Sequence, residues 1–337
     1  MRILIIGGTG LISTSTAHLL SMQGEQVVLF NRGQSLYPTA PGVTTLHGDR
    51  TNYADFEAQM SGAGAFDVVI DMVAYKPEDG KSAVRAFRGK VGQFIFCSTV
   101  DVYNKPATAY PYTEQDVYGG LNEYSHNKVI LEKYLLRAEQ EGAFPLTIIR
   151  PAYTYGEGRG PIHPVSWDAC LDRIRRGKPV VVHGDGQSLW VCNHASDVGR
   201  TFAVACGNPK TFGQAYHVTG EEWLTWDQYI RQIAEALDVT CPRLVHIPSA
   251  TLAQVGITIC AENFQYDNIF DNAKAHRDLS YQYTITWKEG VQRMAKWFDG
   301  RGKWPNCNEH PFEDRLIDAW ESMGIDLVKR LTEGSST

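Results

Sequence analysis

The chain has 337 residues, 43% of them apolar, enough to supply the core of one large or two modest domains. Its formal charge of −6 works against a nonspecific binder of nucleic-acid phosphates, which presents a basic face. Seven cysteines, an odd number with no CxxC pair, suggest neither a disulfide framework nor a zinc site and read as reduced thiols. Met1 runs into a strand-like segment without the charged start and apolar stretch of a signal peptide. No segment nears the roughly 18 apolar residues of a membrane span. A cytoplasmic protein with a small-molecule partner, and neither membrane nor nucleic acid, is expected.

In chain order, short apolar runs at Ile3–Ile6, Val27–Phe30, Thr44–Leu46, Val68–Ile70, Phe94–Phe96 and Leu146–Ile149 alternate with longer amphipathic stretches. Such short runs, apolar throughout and spaced by helix lengths, predict buried parallel strands in βα units. The fold class that follows is α/β, a Rossmann-type doubly wound parallel sheet with a smaller C-terminal substrate-binding part. Helices are expected at Leu11–Met22, Asp79–Phe87 and Tyr124–Glu141, the last ended by Gly142. Residues 1–150 are assigned to the dinucleotide-binding domain, which also takes in roughly 180–207. Residues 151–337 are assigned mainly to the substrate-binding part, drawn from about 151–179 and 208–290, and to C-terminal helices.

The run Ile6-Gly7-Gly8-Thr9-Gly10-Leu11-Ile12-Ser13 joins the first strand to the first helix. There Gly7 allows a tight turn, and Gly10 lets the backbone approach a pyrophosphate seated on the helix N-terminus. Ser13 replaces a third glycine and is small enough for close helix–strand packing. After the second strand stand Asn31 and Arg32, where NAD sites usually carry an Asp or Glu for the ribose hydroxyls. Arg32 tilts the choice toward NADP over NAD, the alternative being that it stacks on adenine or lies in solvent. Asp49, followed by Arg50 after the third strand, is placed to meet the adenine edge or to be a solvated turn residue.

Tyr124-Ser125-His126-Asn127-Lys128 puts a phenol and an ammonium four residues apart, on one helix face. A tyrosine of pKa about 10 is a poor base near neutrality, and an adjacent Lys⁺ favours its phenolate. The pair follows a buried strand ending in Ser98 and Thr99, whose hydroxyls emerge at the strand's C-terminal end, where open α/β sheets build their sites. His126, His163, His194 and His217 lack metal-ligand spacing and read as structural or lining residues, so no metal is expected.

Together these segments resemble the extended short-chain dehydrogenase/reductase family, also called the NAD-dependent epimerase/dehydratase family, over at least residues 1–240. The resemblance rests on Gly7 to Gly10, Ser98-Thr99 with Val102-Tyr103, Tyr124 to Lys128, and Arg150-Pro151 with Tyr155-Gly156. It implies that Tyr124 is the acid/base, that Lys128 lowers its pKa and holds the ribose, and that Thr99 orients the substrate oxygen beside Ser98. Hydride then passes between a substrate carbon and nicotinamide. Gly7, Gly8, Thr9, Gly10, Leu11, Ile12, Asn31, Arg32, Asp49, Arg50, Val73, Ala74, Ser98, Tyr124, Lys128 and Pro151 would hold the dinucleotide, NADP or NAD.

Members acting on nucleotide sugars carry an Asn and an Arg where this chain has Tyr153 and Trp190. Neither replaces an arginine's clamp on a diphosphate. Arg159 serves there instead or is a solvated loop residue, and Trp190 stacks on a substrate ring or belongs to the core. Asn31-Arg32-Gly33 and Pro311-Phe312-Glu313-Asp314 with Ala319-Trp320 resemble a bacterial branch of the family that is also similar to plant chloroplast stem-loop-binding proteins. The activity implied is oxidation, epimerisation or reduction at a hydroxyl or keto carbon of a sugar or sugar nucleotide. The alternatives are an NADPH-dependent carbonyl reductase of a non-nucleotide substrate and a nonenzymatic RNA-binding relative. A homodimer packed through two helices per subunit, one of them 124–141, is compatible with the resemblance.

Overall fold

The computed structural model describes residues 1–34 and 39–333. The chain divides into two compact units, the first built from 1–156, 191–222 and 269–286, the second from 157–190, 223–268 and 287 onward.

In the first unit the apolar runs become strands β1 (Arg2–Ile6), β2 (Gln26–Asn31), β3 (Thr44–His47), β4 (Phe66–Asp71), β5 (Val91–Cys97) and β6 (Leu146–Pro151). They alternate with helices α1 (Leu11–Met22), α2 (Tyr53–Gly62), α3 (Pro77–Phe87) and α4 (Glu123–Gln140). Two further elements, helix α5 (Ala195–Ala205) and strand β7 (Gln214–Val218), come from later in the chain. All strands are parallel, in the order β7-β6-β5-β4-β1-β2-β3.

Strand geometry sends alternate side chains to opposite faces. Ile3, Ile5, Val27, Leu29, Val68 and Ile70 pack with Ala17 and Leu20 of α1 and Val198 and Phe202 of α5. Leu4, Ile6, Val28, Phe30, Val69 and Phe94 pack with Phe56 of α2, Val84 and Phe87 of α3, and Leu131 and Leu135 of α4. Burial on both faces is why these strands read as unbroken apolar runs. The chain winds outward from β1 in one direction through β2 and β3, and in the other through β4 to β7. That reversal leaves a crevice beyond the C-terminal ends of β1 and β4, where such sheets bind ligands.

The second unit holds a parallel pair, Val180–His183 with Leu244–Ile247, and the helices Trp226–Ala236, Trp287–Arg301 and Phe312–Glu333. Its core is aromatic: Tyr229 stacks on Trp287 at 4.3 Å, and Trp226 lies 4.7 Å from Phe264. The division differs from the sequence-based boundaries. Val180–His183 pairs within the second unit, whereas the last sheet strand comes from 214–218, beyond the expected limit of 207. Among the described residues no helix is long and apolar enough to cross a membrane.

Candidate active site

At the end of β1 the chain turns sharply through Gly7, whose φ of +82° lies in the left-handed region that side chains resist. A Cβ on Gly7 would sit 2.3 Å from Val73 Cγ1, so the turn and the end of β4 approach as closely as a bare backbone allows. Ser13 does more than permit packing: its Oγ accepts from Gly10 N at 2.7 Å and donates to Gly7 O at 2.8 Å, stitching the turn closed. Leu11 and Ile12 follow in the first turn of α1, where backbone N–H groups have no intrahelical acceptor and favour an anion.

The turn forms one wall of a cleft of about 390 Å³ lined by Gly7, Thr9, Gly10, Asn31, Arg32, Asp49, Arg50 and Val73, all expected from the sequence, and by Phe30, Gln34, Gly48, Thr51 and Tyr75, which were not. Gly8, Leu11, Ile12, Ala74, Ser98, Tyr124, Lys128 and Pro151 do not line it. Ala74 is buried with the core beneath the sheet's C-terminal edge, and Pro151 closes β6.

At the far end of the cleft Asn31 spends its side chain on Gly33 N at 2.8 Å. Asp49 accepts from Thr51 Oγ1 at 2.7 Å and Thr51 N at 2.8 Å, and these bonds, with a smaller pull from Arg32, hold its carboxyl below the usual range. Arg50 is buried and committed to the protein: Nη2 meets Asp71 Oδ2 at 2.6 Å and Asp79 O at 2.9 Å. Arg32, by contrast, directly follows β2, lines the cleft and acts electrostatically on Asp49.

The proton-transfer residues converge where β5 ends. Asn122 caps α4, accepting from Ser125 N at 3.1 Å, and so starts the helix one residue before Tyr124. Lys128, one turn on, is 1% exposed and donates to Cys97 O at 2.8 Å. Its ammonium lies 4.8 Å from the ring centres of both Tyr75 and Phe96, and 5.8 Å from that of Tyr124. Thr99 Oγ1 accepts from Asp101 N at 3.2 Å, and its side chain is near enough to the Tyr124 phenol to lower that phenol's pKa. Ser98 is buried beside it, and its hydroxyl has no hydrogen-bond partner among the described residues.

Tyr124 leaves 41% of its surface exposed, with Thr99 near its phenol. Burial pushes the phenol well above its ordinary value, Asp101, Cys97 and Tyr75 add to the rise, and Thr99 opposes them. Lys128 is not among the largest of these influences. The ammonium is turned toward Cys97 O and is itself held below the usual lysine range by burial. Tyr124 therefore carries its proton at neutral pH in the protein alone.

A family model described as the NAD dependent epimerase/dehydratase family matches residues 3–219, from β1 through β7. The chain belongs to that family. It is an enzyme of the extended short-chain dehydrogenase/reductase type. It is 30% identical over 259 residues to the chloroplast stem-loop binding protein of 41 kDa b of Arabidopsis thaliana, covering 73% of this chain and 65% of the plant protein's length. It is 27% identical over 306 residues to 2'-dehydrokanamycin reductase of Streptomyces kanamyceticus, covering 90% of this chain and 86% of that one. Among solved structures, UDP-glucose 4-epimerase of Thermotoga maritima with UDP-glucose superposes with a TM-score of 0.73 at 19% identity, covering 90% of this chain and 100% of that chain.

The residues that set this family member apart fall in different places. Tyr153 is half-buried in a short strand, Tyr153–Tyr155, paired with Cys192–His194. Arg159 is exposed near Asp168, whose carboxyl burial raises and Arg159 lowers. Trp190 corrects the expectation of a stacking platform. Only 5% exposed, it packs 5.2 Å from Trp226 and 4.9 Å from Phe264, so its ring serves the aromatic core of the second unit.

The motif's Arg150 is not a ligand residue either. It is 1% exposed and pairs with Glu132 of α4 at 2.9 and 2.6 Å, and also donates to Tyr103 Oη at 2.5 Å and to Tyr118 Oη. Tyr103 in turn donates to Nε2 of His217 at 2.5 Å, because His217 Nδ1 gives its proton to Asp271 O. This buried network fastens β6 to the helix that carries Tyr124 and Lys128. Among the described residues no group of three His, Cys, Asp or Glu could hold a metal ion.

Proposed function

We propose that the chain binds a nicotinamide dinucleotide along the cleft from Arg32 to Tyr75 and catalyses proton-coupled hydride transfer at a hydroxyl or keto carbon of a sugar-class small molecule. The observation that carries the reading is the meeting of Thr99, Tyr124 and Lys128 at the end of β5, beside a glycine turn too tight for any Cβ at Gly7. The turn fits a pyrophosphate because Gly7, Gly10 and the first turn of α1 present backbone, free of side-chain bulk, at a helix N-terminus. A bound nicotinamide supplies the hydride donor or acceptor. The chain's own residues do the rest.

Tyr124 Oη, protonated and near Thr99, gives its proton to a carbonyl oxygen as that oxygen gains charge, or takes one back in the oxidative direction. Thr99 flanks the phenol, and Ser98 offers a second hydroxyl that has no hydrogen-bond partner among the described residues. Lys128, fully enclosed, places a positive charge under the reacting oxygen. Arg32, which lines the cleft and makes no buried ion pair among the described residues, supports NADP over NAD.

Within this activity, reduction of a non-nucleotide carbonyl substrate is favoured over nucleotide-sugar epimerisation, because Trp190 lies in the core and brings no charge for a diphosphate. Similarity to 2'-dehydrokanamycin reductase points the same way. The −6 net charge gives no support to RNA binding. The test is oxidation of NADPH by a panel of keto-sugars and keto-aminoglycosides, set beside epimerisation of UDP-sugars with no added cofactor. Turnover of a ketone that disappears in Tyr124→Phe supports the reading, and epimerisation of a UDP-sugar as the sole activity overturns the non-nucleotide preference.

A further inference from the structure

Tyr75 belongs to none of the sequence motifs, yet it lines the cleft and neighbours both Lys128 and Tyr124. It lines the dinucleotide cleft together with Gly7 and Val73. Its ring centre is 4.8 Å from the Lys128 ammonium and 6.2 Å from the Tyr124 ring. Its backbone is pinned from below: Tyr75 N donates to Asp79 Oδ2 at 2.7 Å, and Asp79 is buried and within ion-pair distance of Arg50.

The Lys128 ammonium thus sits in an aromatic shell. Phe96, fully buried in β5, closes one side and cannot move without opening the sheet. Tyr75, 48% exposed, closes the side toward the cleft. An ammonium withdrawn from water is held by ring faces through their quadrupoles, an attraction that grows as the site is desolvated. A phenylalanine keeps that attraction and an aliphatic chain of similar size does not.

We propose that Tyr75 is a positioning residue, whose aromatic ring holds the Lys128 ammonium and the Tyr124 ring in register with the dinucleotide cleft. The proposal rests on the reading of Lys128 and Tyr124 as the proton-transfer pair beside a nicotinamide dinucleotide.

Wild type, Tyr75→Phe and Tyr75→Met are compared by two measurements: the rate at which acetic anhydride acetylates Lys128, followed by peptide mass spectrometry, and the affinities for NADH and NADPH. Because Tyr75 is half exposed, both substitutions leave the core intact. Phe is expected to match wild type in both. Met is expected to acetylate about tenfold faster at Lys128 and to bind the preferred dinucleotide about tenfold more weakly. Equal labelling and affinity in Met and wild type, or a Phe variant that behaves like Met, overturns the proposal. Failure of wild type to bind either dinucleotide would instead overturn the functional reading, while the acetylation rates would still decide whether Tyr75 holds Lys128.

Discussion

Replacing Gly7 by alanine tests the cradle where its geometry is tightest. At φ +82° a residue with a Cβ costs about 1–2 kcal/mol in backbone strain. The new Cβ would also meet Val73 Cγ1 at 2.3 Å and Cγ2 at 3.0 Å, and overpacking of that kind adds about 1–3 kcal/mol. Gly7→Ala is therefore expected to lose roughly 2–5 kcal/mol of stability or to open the turn, weakening NADH and NADPH at least about tenfold. Val73→Ala removes both Cγ atoms and leaves its Cβ at 3.2 Å, so the double variant keeps the backbone strain and sheds the clash. Urea denaturation and dinucleotide titration of wild type, both single variants and the double variant complete the cycle. Wild-type stability and affinity in Gly7→Ala, or no recovery in the double variant, would refute the reasoning.

Tyr124→Phe should leave dinucleotide affinity nearly unchanged and cut turnover by about two to four orders of magnitude, read by stopped-time assay on whichever ketone is turned over. Glu132→Ala strands the buried Arg150 charge and is expected to cost about 3–5 kcal/mol in urea denaturation, with a loss under about 1 kcal/mol contradicting a buried pair. Burial holds His183 down to about 4 and His217 to about 3, so both are neutral when folded, while the unfolded chain takes up their protons near 6.5. Their contribution is thus complete above pH 6.5 and is lost as pH falls toward 4, at about 1.4 kcal/mol per unit for each histidine. Thermal melts that stay flat from pH 6.5 to 4.5 would disprove it. Arg32→Ala is expected to weaken NADPH by about tenfold and NADH hardly at all, by titration, and equal losses would remove Arg32 from cofactor choice.

The sheet was legible because burial on both faces leaves unbroken apolar runs, and each of the six expected runs lies inside an observed strand. Helix α2, by contrast, has only Phe56 and Met60 turned inward among polar residues, too weak a stripe to register. Strand β7 could not be foreseen as the edge neighbour of β6, since the chain between them first contributes 157–190 to another unit before returning. Within the site, the glycine turn and the Tyr124/Lys128 pair were readable from spacing. Tyr75 was not, because its role comes from cross-sheet proximity to Lys128. Its one signal is an aromatic residue in the loop directly after β4, at the C-terminal edge. Spacing reports that Lys128 is near Tyr124 but not that its ammonium donates to Cys97 O.

The central claim is tested most directly by titrating the purified protein, stripped of any nucleotide by mild denaturation and refolding, with NAD⁺, NADH, NADP⁺ and NADPH. The account predicts saturable binding at one site per chain, tighter for the NADP pair and abolished or sharply weakened in Gly7→Ala. Binding of none of the four would contradict it and leave the fold without the cofactor its cleft is read to hold.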